Sequence, residues 1–247
     1  MARNQVQFQK GLSEAGFAEI YGTEEQCHAA LVKWRWPNGF ECPGRNGADW
    51  MMKHKLAQVM LERNASKRLK GNVQMDDAYV GGARSGRRGR GAAGKTPFVA
   101  AIATTDDGTP DQIILRPVRA FSSFAIRMLA STALEPGANI VSDGLACFTA
   151  VTQAGCTPTS IKTGSGKQAA RTPAFKWVNT TLGNIKAALV GTYRAVREKH
   201  VPRYLAEFEY RFNRRYHLQT MIPRLAFVAL RTAPMPYRLP KLADVAA

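Results

Sequence analysis

Val73-Gln74-Met75-Asp76-Asp77-Ala78-Tyr79-Val80 is the stretch on which the reading of this chain turns. Its apolar residues predict a strand over residues 72–80, stopped by Gly81-Gly82. Asp76 is a carboxylate set into those apolar surroundings. A second one, Asp143, ends the apolar run Ala138-Asn139-Ile140-Val141-Ser142. Two carboxylates on strands of one rigid sheet can be brought to a common point, provided the two strands are neighbours.

Outward from that strand the chain reads as follows. Residues 81–95 form a Gly/Arg-rich loop without hydrophobic periodicity. Residues 97–103 read as a buried strand, Asp106-Asp107-Gly108 as a hairpin turn, and residues 112–118 as the returning strand. A helix is predicted over 122–134 with Phe124, Met128 and Leu129 inward, stopped by Pro136-Gly137. A short strand over 138–142 and a helix over 144–154 follow. Residues 155–174 read as a loop, residues 175–196 as a long helix, and residues 203–215 as a helix carrying Tyr204, Leu205, Phe208 and Phe212. The order β-β-β-α-β-α-loop-α-α predicts an α/β fold with a mixed sheet flanked by helices.

Before the first strand lies a small, mainly helical section, residues 1–47. Thr23-Glu24-Glu25-Gln26 has capping-box spacing and starts a helix through about Lys33, and Pro37 with Asn38-Gly39 turns the chain. Residues 48–71 form a helix and a basic connector. Met52, Leu56, Val59 and Met60 make the helix's apolar stripe. The main section is expected to span 72–218 and a C-terminal tail 219–247, whose last ~20 residues, with Pro234, Pro236 and Pro240, are expected to be loose.

The 247 residues carry a net charge of +17 and a pI near 10.2, an excess that attracts polyanions and points to a nucleic-acid partner. Cys27, Cys42, Cys147 and Cys156 have no paired CxxC spacing, which argues against a disulfide framework and fits a reducing compartment. No stretch approaches the roughly 20 apolar residues of a membrane span. The first ten residues lack an apolar signal region, so the expectation is a cytoplasmic protein without membrane attachment.

Chemistry can be read from the same residues. Mg²⁺ prefers a few carboxylate oxygens plus substrate phosphate oxygens, and a two-metal site holds its ions about 4 Å apart. Asp76 and Asp143 fit that need if they converge within about 8 Å. Singly, Asp143-Gly144 also reads as a helix N-cap or turn, and Asp76-Asp77 as an edge-strand charge pair. Asn179 and Lys186 lie seven residues apart, two helical turns, and so share a face beside Leu182, Ile185 and Leu189. An ordinary solvent-facing helix boundary would show the same spacing. Arg84, Arg87, Arg88, Arg90 and Lys95 in the Gly/Arg loop are cations suited to following phosphates; a solvated, disordered loop is the alternative. On the last helix Arg211, Arg214 and Arg215 could reach a phosphate, while Phe212 reads as core.

Five blocks carry a family resemblance: Val73–Gly82; Gly89-Arg-Gly-Ala-Ala-Gly-Lys-Thr-Pro-Phe-Val; Ile140-Val-Ser-Asp143-Gly-Leu-Ala-Cys-Phe; Trp177-Val-Asn179-Thr-Thr-Leu-Gly-Asn-Ile-Lys186; and Tyr204-Leu-Ala-Glu-Phe-Glu-Tyr-Arg-Phe-Asn-Arg-Arg. Together they resemble bacterial insertion-sequence transposases of the DDE type, in the subgroup that joins a zinc ribbon and helix-turn-helix to an RNase H-like catalytic domain. The resemblance covers about residues 12–47 and nearly all of 50–235. It implies that Asp76 and Asp143 are metal-binding aspartates, with Mg²⁺ or Mn²⁺ as the cofactor, in two ions. Asn179 falls where most DDE enzymes have glutamate, as in similar members with an Asp-Asp-Asn-Lys signature. It can offer a metal a carbonyl oxygen but no charge. Lys186 would contact the DNA end or offset charge developing on phosphorus.

The resemblance further implies DNA partners (element ends and target), a homo-oligomer on paired ends, and a bacterial, nucleoid-associated location. The front of the chain departs from the pattern. Cys42-Pro43-Gly44-Arg45 has arginine where the ribbon's second cysteine belongs, the other CxxC pair is absent, and no intact zinc site can be drawn from Cys27, His28 and Cys42. The expected activity is strand cleavage followed by strand transfer, both in-line phosphoryl transfers. The alternatives are a catalytically incompetent DNA-binding remnant and a generic RNase H-like nuclease.

Overall fold

The computed structural model describes residues 13–35, 49–81, 94–162, 172–192 and 197–236. The chain divides into two compact units: Leu61–Glu209, and Met1–Met60 together with Tyr210–Ala247.

The first of these units is built on one five-stranded sheet. Its strands are β1 (Asn72–Val80), β2 (Thr96–Thr104), β3 (Pro110–Pro117), β4 (Asn139–Ser142) and β5 (Thr157–Ser160), in the order β3-β2-β1-β4-β5. β1, β2 and β3 form an antiparallel meander. The β2–β3 turn is closed by the hydroxyls of Thr105 and Thr109 on Asp107, with Gly108 at a φ of 77°. β4 then pairs parallel to β1, and β5 parallel to β4. This is the RNase H-like sheet, and β1 bears out the bounds read from sequence.

Alternation along β1 splits the unit into two packed layers. Val73 and Met75 point to one face, where they join Val99, Ala101, Ala103, Ile114 and Ile140 in the main core. That face is covered by the helix α4 (Ser123–Ala133) and a 3-10 helix (Ala146–Ala154). The opposite face carries Gln74 and Asp76. Helix α5 (Lys176–Thr192) packs there through buried Val178, Leu182 and Ile185. Helix α6 (Val201–Phe212) closes the outer edge at β3. Buried Glu209 accepts the Leu115 N–H at 3.0 Å and pairs with Arg116 at 2.8 Å, while Arg116 also donates to the Asn64 carbonyl at 2.9 Å. Burial pushes the Glu209 carboxyl up and the Arg116 guanidinium opposes that shift.

The other unit holds α1 (Glu14–Tyr21), α2 (Glu24–Arg35), most of α3 (Asp49–Ala65) and α7 (Leu218–Ala229). The capping box is present: Thr23 N–H donates to Gln26 Oε1 and Gln26 N–H to Thr23 Oγ1. Tyr21 stacks on Phe17 and Trp34, and α2 packs against α7.

Several sequence expectations are corrected. On α4, Phe124 and Met128 are exposed, at 65% and 49%, and the buried face is Ile126, Leu129, Ala130 and Ala133. Leu129 is inward as expected, and Ile126 with two small alanines, in place of Phe124 and Met128, completes the seat of this helix. On α3, Met52 is exposed while His54, Ala57 and Gln58 are buried beside Val59 and Met60. The segment expected to be a loop over 155–174 contains β5, a polar and largely exposed strand that exists because β4 offers it backbone partners. The expected C-terminal tail over 219–247 contains α7, which accommodates Pro223 inside the helix. The 144–154 helix is a 3-10 helix starting at Ala146, and the last predicted helix ends at Phe212.

Candidate active site

β1 and β4 run parallel in the register Met75↔Ser142, so Asp76 and Asp143 occupy the next position on each of two neighbouring strands. β4 ends at Ser142 while β1 continues, paired only with β2, to Val80. Asp76, Asp77 and Asp143 bring one carboxylate oxygen each within 4.8 Å of one another. The separation is well inside what a shared metal site needs. All three are half-buried.

Local backbone geometry holds two of these carboxylates. Asp76 Oδ1 accepts the Asp77 N–H at 2.8 Å. Asp143 Oδ1 accepts the Leu145 N–H at 3.1 Å, across Gly144 at a φ of 86°. That left-handed turn suits glycine, and a Cβ on residue 144 would come within 2.7 Å of Ser160 Oγ. The sequence reading that Asp143-Gly144 forms a turn is therefore correct, and the turn is what aims the Asp143 side chain.

Divalent cations of the Mg²⁺ or Mn²⁺ class take hard oxygen ligands, and three clustered carboxylates fit that preference. Two or more like charges this close repel, so the cluster is held by the sheet and is relieved by a cation. Asp77 was not singled out as a site residue from sequence. Strict strand alternation sends Asp76 and Asp77 to opposite faces, and the signal that could have found it is the doubled acid itself at the point where burial along β1 changes face.

Asn179 is half-buried in the first turn of α5, and Lys186 is exposed two turns further on. α5 is fixed to the strand of Asp76 by Gln74, whose Oε1 accepts the Trp177 and Val178 N–H groups at 3.1 and 3.0 Å. The Trp177 indole N–H donates to the Gly108 carbonyl in the β2–β3 turn at 2.6 Å. Of the basic residues read from sequence, Arg84, Arg87, Arg88 and Arg90 lie outside the described residues. Lys95 is half-buried just before β2, its side chain beside Gly81. In the other unit Arg211 is exposed. Arg214 is half-buried, with its guanidinium 3.9 Å from the Tyr210 ring centroid and donating to the Tyr210 carbonyl at 3.5 Å. Arg215 stacks similarly on Phe212 and Tyr216. No helix among the described residues is long and apolar enough to cross a membrane.

Two family models match the chain. The ISXO2-like transposase domain matches residues 68–213, and the transposase zinc-ribbon domain matches residues 22–44. Within the second segment Cys27 is half-buried, with its thiol on the Tyr21 carbonyl at 2.9 Å, and Cys42 lies outside the described residues. No curated protein matches the chain. Among solved structures it is similar to the Mos1 transposase paired-end complex with left transposon end, at 13% identity and a TM-score of 0.27. It is also similar to the Mos1 mariner paired end complex with Mn (12%, 0.26) and a pre-cleavage Mos1 transpososome (10%, 0.24). Each likeness covers 85% of this chain and 73% of the other.

Proposed function

With residues 68–213 matched by its model, the chain belongs to the ISXO2-like transposase domain family, and we propose that it cleaves and joins DNA strands at a metal-dependent site built on Asp76 and Asp143. The observation that carries this reading is the convergence of Asp76, Asp77 and Asp143 within 4.8 Å at the end of the β1–β4 pair.

A bound divalent cation supplies Lewis-acid stabilisation and alignment of the attacking and leaving oxygens. Asp76 and Asp143 would hold it through carboxylate oxygens. Asp77 adds a third carboxylate and provides the negative charge that Asn179, an amide, lacks. Asn179 offers a neutral carbonyl oxygen from α5. Lys186, exposed on the same helix, carries an ammonium suited to a DNA phosphate or to charge developing on phosphorus.

In the first stage a water oxygen forms a bond to phosphorus as the bond to a 3′ oxygen breaks. The water's proton is balanced by protonation of the departing 3′ oxygen. In the second stage that 3′-hydroxyl oxygen bonds to a target phosphorus and displaces a target 3′ oxygen, which takes up the proton. One P–O bond forms and one breaks each time, so no covalent enzyme intermediate is required. The net charge of +17 favours the DNA partner, and the stacked arginines after Tyr210 add a basic surface. Synapsis of two ends would require at least a dimer.

The test is strand transfer with pre-cut ends in Mg²⁺ or Mn²⁺. Joining by this chain that disappears in Asp76→Ala and in Asp143→Ala supports the reading. DNA binding without cleavage or joining at any metal concentration would instead identify a catalytically incompetent remnant. Cleavage of an RNA–DNA hybrid without joining would identify a nuclease.

A further inference from the structure

Gln74 stands two residues before Asp76, on the same face of β1. Its side-chain oxygen takes two hydrogen bonds, from the backbone N–H groups of Trp177 (3.1 Å) and Val178 (3.0 Å). Donors in the first turn of a helix have no partner within the helix, and a residue just before the helix usually caps them. Here a strand more than 100 residues away in sequence does so. The next residue is Asn179, and Lys186 follows on the same rod. The buried Val178, Leu182 and Ile185 give α5 its apolar seat, but the hydrophobic effect is non-directional and does not by itself choose where along β1 the helix starts. Hydrogen bonds to Gln74 fix where along β1 the helix begins.

We propose that Gln74 is a positioning residue for phosphoryl transfer: it locks the first turn of α5 to β1 and so sets Asn179 and Lys186 relative to Asp76. The amide suits this place better than a carboxylate would. It accepts both N–H groups without adding a fourth negative charge beside Asp76, Asp77 and Asp143. The kinetic part of the inference rests on the strand-transfer reading above.

The test compares Gln74→Met, which keeps the length and removes the acceptor, with Gln74→Glu, which keeps an acceptor. Three readouts are followed: hydrogen exchange at the Trp177 and Val178 amides, Mn²⁺ affinity by electron paramagnetic resonance, and strand transfer split into kcat and KM for DNA. Gln74→Met is expected to speed exchange at the two amides about tenfold. It is also expected to lower kcat about tenfold, with KM changed less than about twofold. Gln74→Glu restores slow exchange and most of kcat. In an Asn179→Ala background the Gln74→Met cost in kcat shrinks, because part of its effect acts through Asn179 on α5.

Unchanged exchange in Gln74→Met overturns the proposal. So does faster exchange with an unchanged kcat, or an undiminished kcat cost in the Asn179→Ala background. If the unsubstituted chain joins no strands, the strand-transfer reading falls on its own, and exchange with Mn²⁺ affinity decides the role of Gln74. Weaker Mn²⁺ binding in Gln74→Met together with faster exchange at the Trp177 and Val178 amides then supports it, and unchanged Mn²⁺ binding in Gln74→Met overturns it.

Discussion

The two faces of β1 do different work on one backbone. On one face Val73 and Met75 are fully buried, packed with Val99, Ala101, Ile114, Ile126 and Phe148 under α4 and the 3-10 helix. On the other face Gln74 and Asp76 are half-buried, and Gln74 accepts two backbone N–H groups of α5. The dry face gives the strand its rigidity, because close-packed apolar side chains resist displacement. The other face uses that rigidity to hold carboxylates near one another despite their repulsion. The burial pattern switches at Asp76-Asp77, beyond which Ala78 and Val80 are buried, and β4 stops beside Met75 at the same point. The carboxylate cluster therefore forms where a strand loses its parallel neighbour but keeps its antiparallel one.

This contrast can be broken by substituting adjacent residues. Asp76→Asn keeps an oxygen for the Asp77 N–H and removes only charge. It should lower strand transfer by at least about 10²-fold while leaving the thermal midpoint unchanged or raised. Met75→Ala, one residue away, should do the reverse. A fully buried methionine cut to alanine costs about 2–5 kcal/mol in denaturant unfolding, with activity per folded molecule within about twofold of the parent. If Met75→Ala abolishes joining without loss of stability, the division of labour between the faces is wrong.

Gly144→Ala tests the coupling between turn and site. A φ of 86° and the 2.7 Å approach to Ser160 Oγ predict a loss of about 1–3 kcal/mol. Because the same turn aims Asp143, Mn²⁺ binding should weaken together with stability. Mn²⁺ titration beside a denaturant melt checks both, and loss of stability alone would separate the turn from the site.

The smallest effect concerns pH. His200 is buried, and burial lowers its pKa first, with Lys199, Arg203 and Arg197 adding to the shift. With the folded value below the ordinary 6.5, the unfolded chain takes up this proton before the folded one does. The stability it contributes is therefore present above about pH 6.5 and lost as pH falls through that value toward the folded pKa. His200→Gln should flatten this part of a stability-versus-pH curve without altering metal binding. A curve of unchanged slope would show that the imidazole is not the group responsible.

Much of this organisation was legible in the sequence. β1 was readable because Val73, Met75, Tyr79 and Val80 flank the acids and glycines stop the run. The α2 cap was readable because Thr23 and Gln26 interact within one turn. Asp143 was readable because Gly144 marks the turn after an apolar strand. Other features were not. Thr157-Pro158-Thr159-Ser160 has no hydrophobic signal, and only pairing with β4 makes it a strand. Phe124 and Met128 suggested the wrong face of α4, because the helix docks through Ile126 and Leu129 with the small Ala130 and Ala133 beside them. Asp77 and Gln74 were hidden for the same reason as each other, since both depend on contacts between segments distant in sequence.

By itself, then, the sequence determined four of the five strands and most of the helices, the polyanion-seeking charge, and the two aspartates that a phosphoryl-transfer site would need. These follow from side-chain chemistry and short-range periodicity, which are local properties. Only the tertiary structure decided that β4 lies beside β1 and ends at Met75, that Asp77 joins the cluster, and that Gln74 caps α5. Those outcomes depend on which surfaces exclude water together, and no residue carries that information alone.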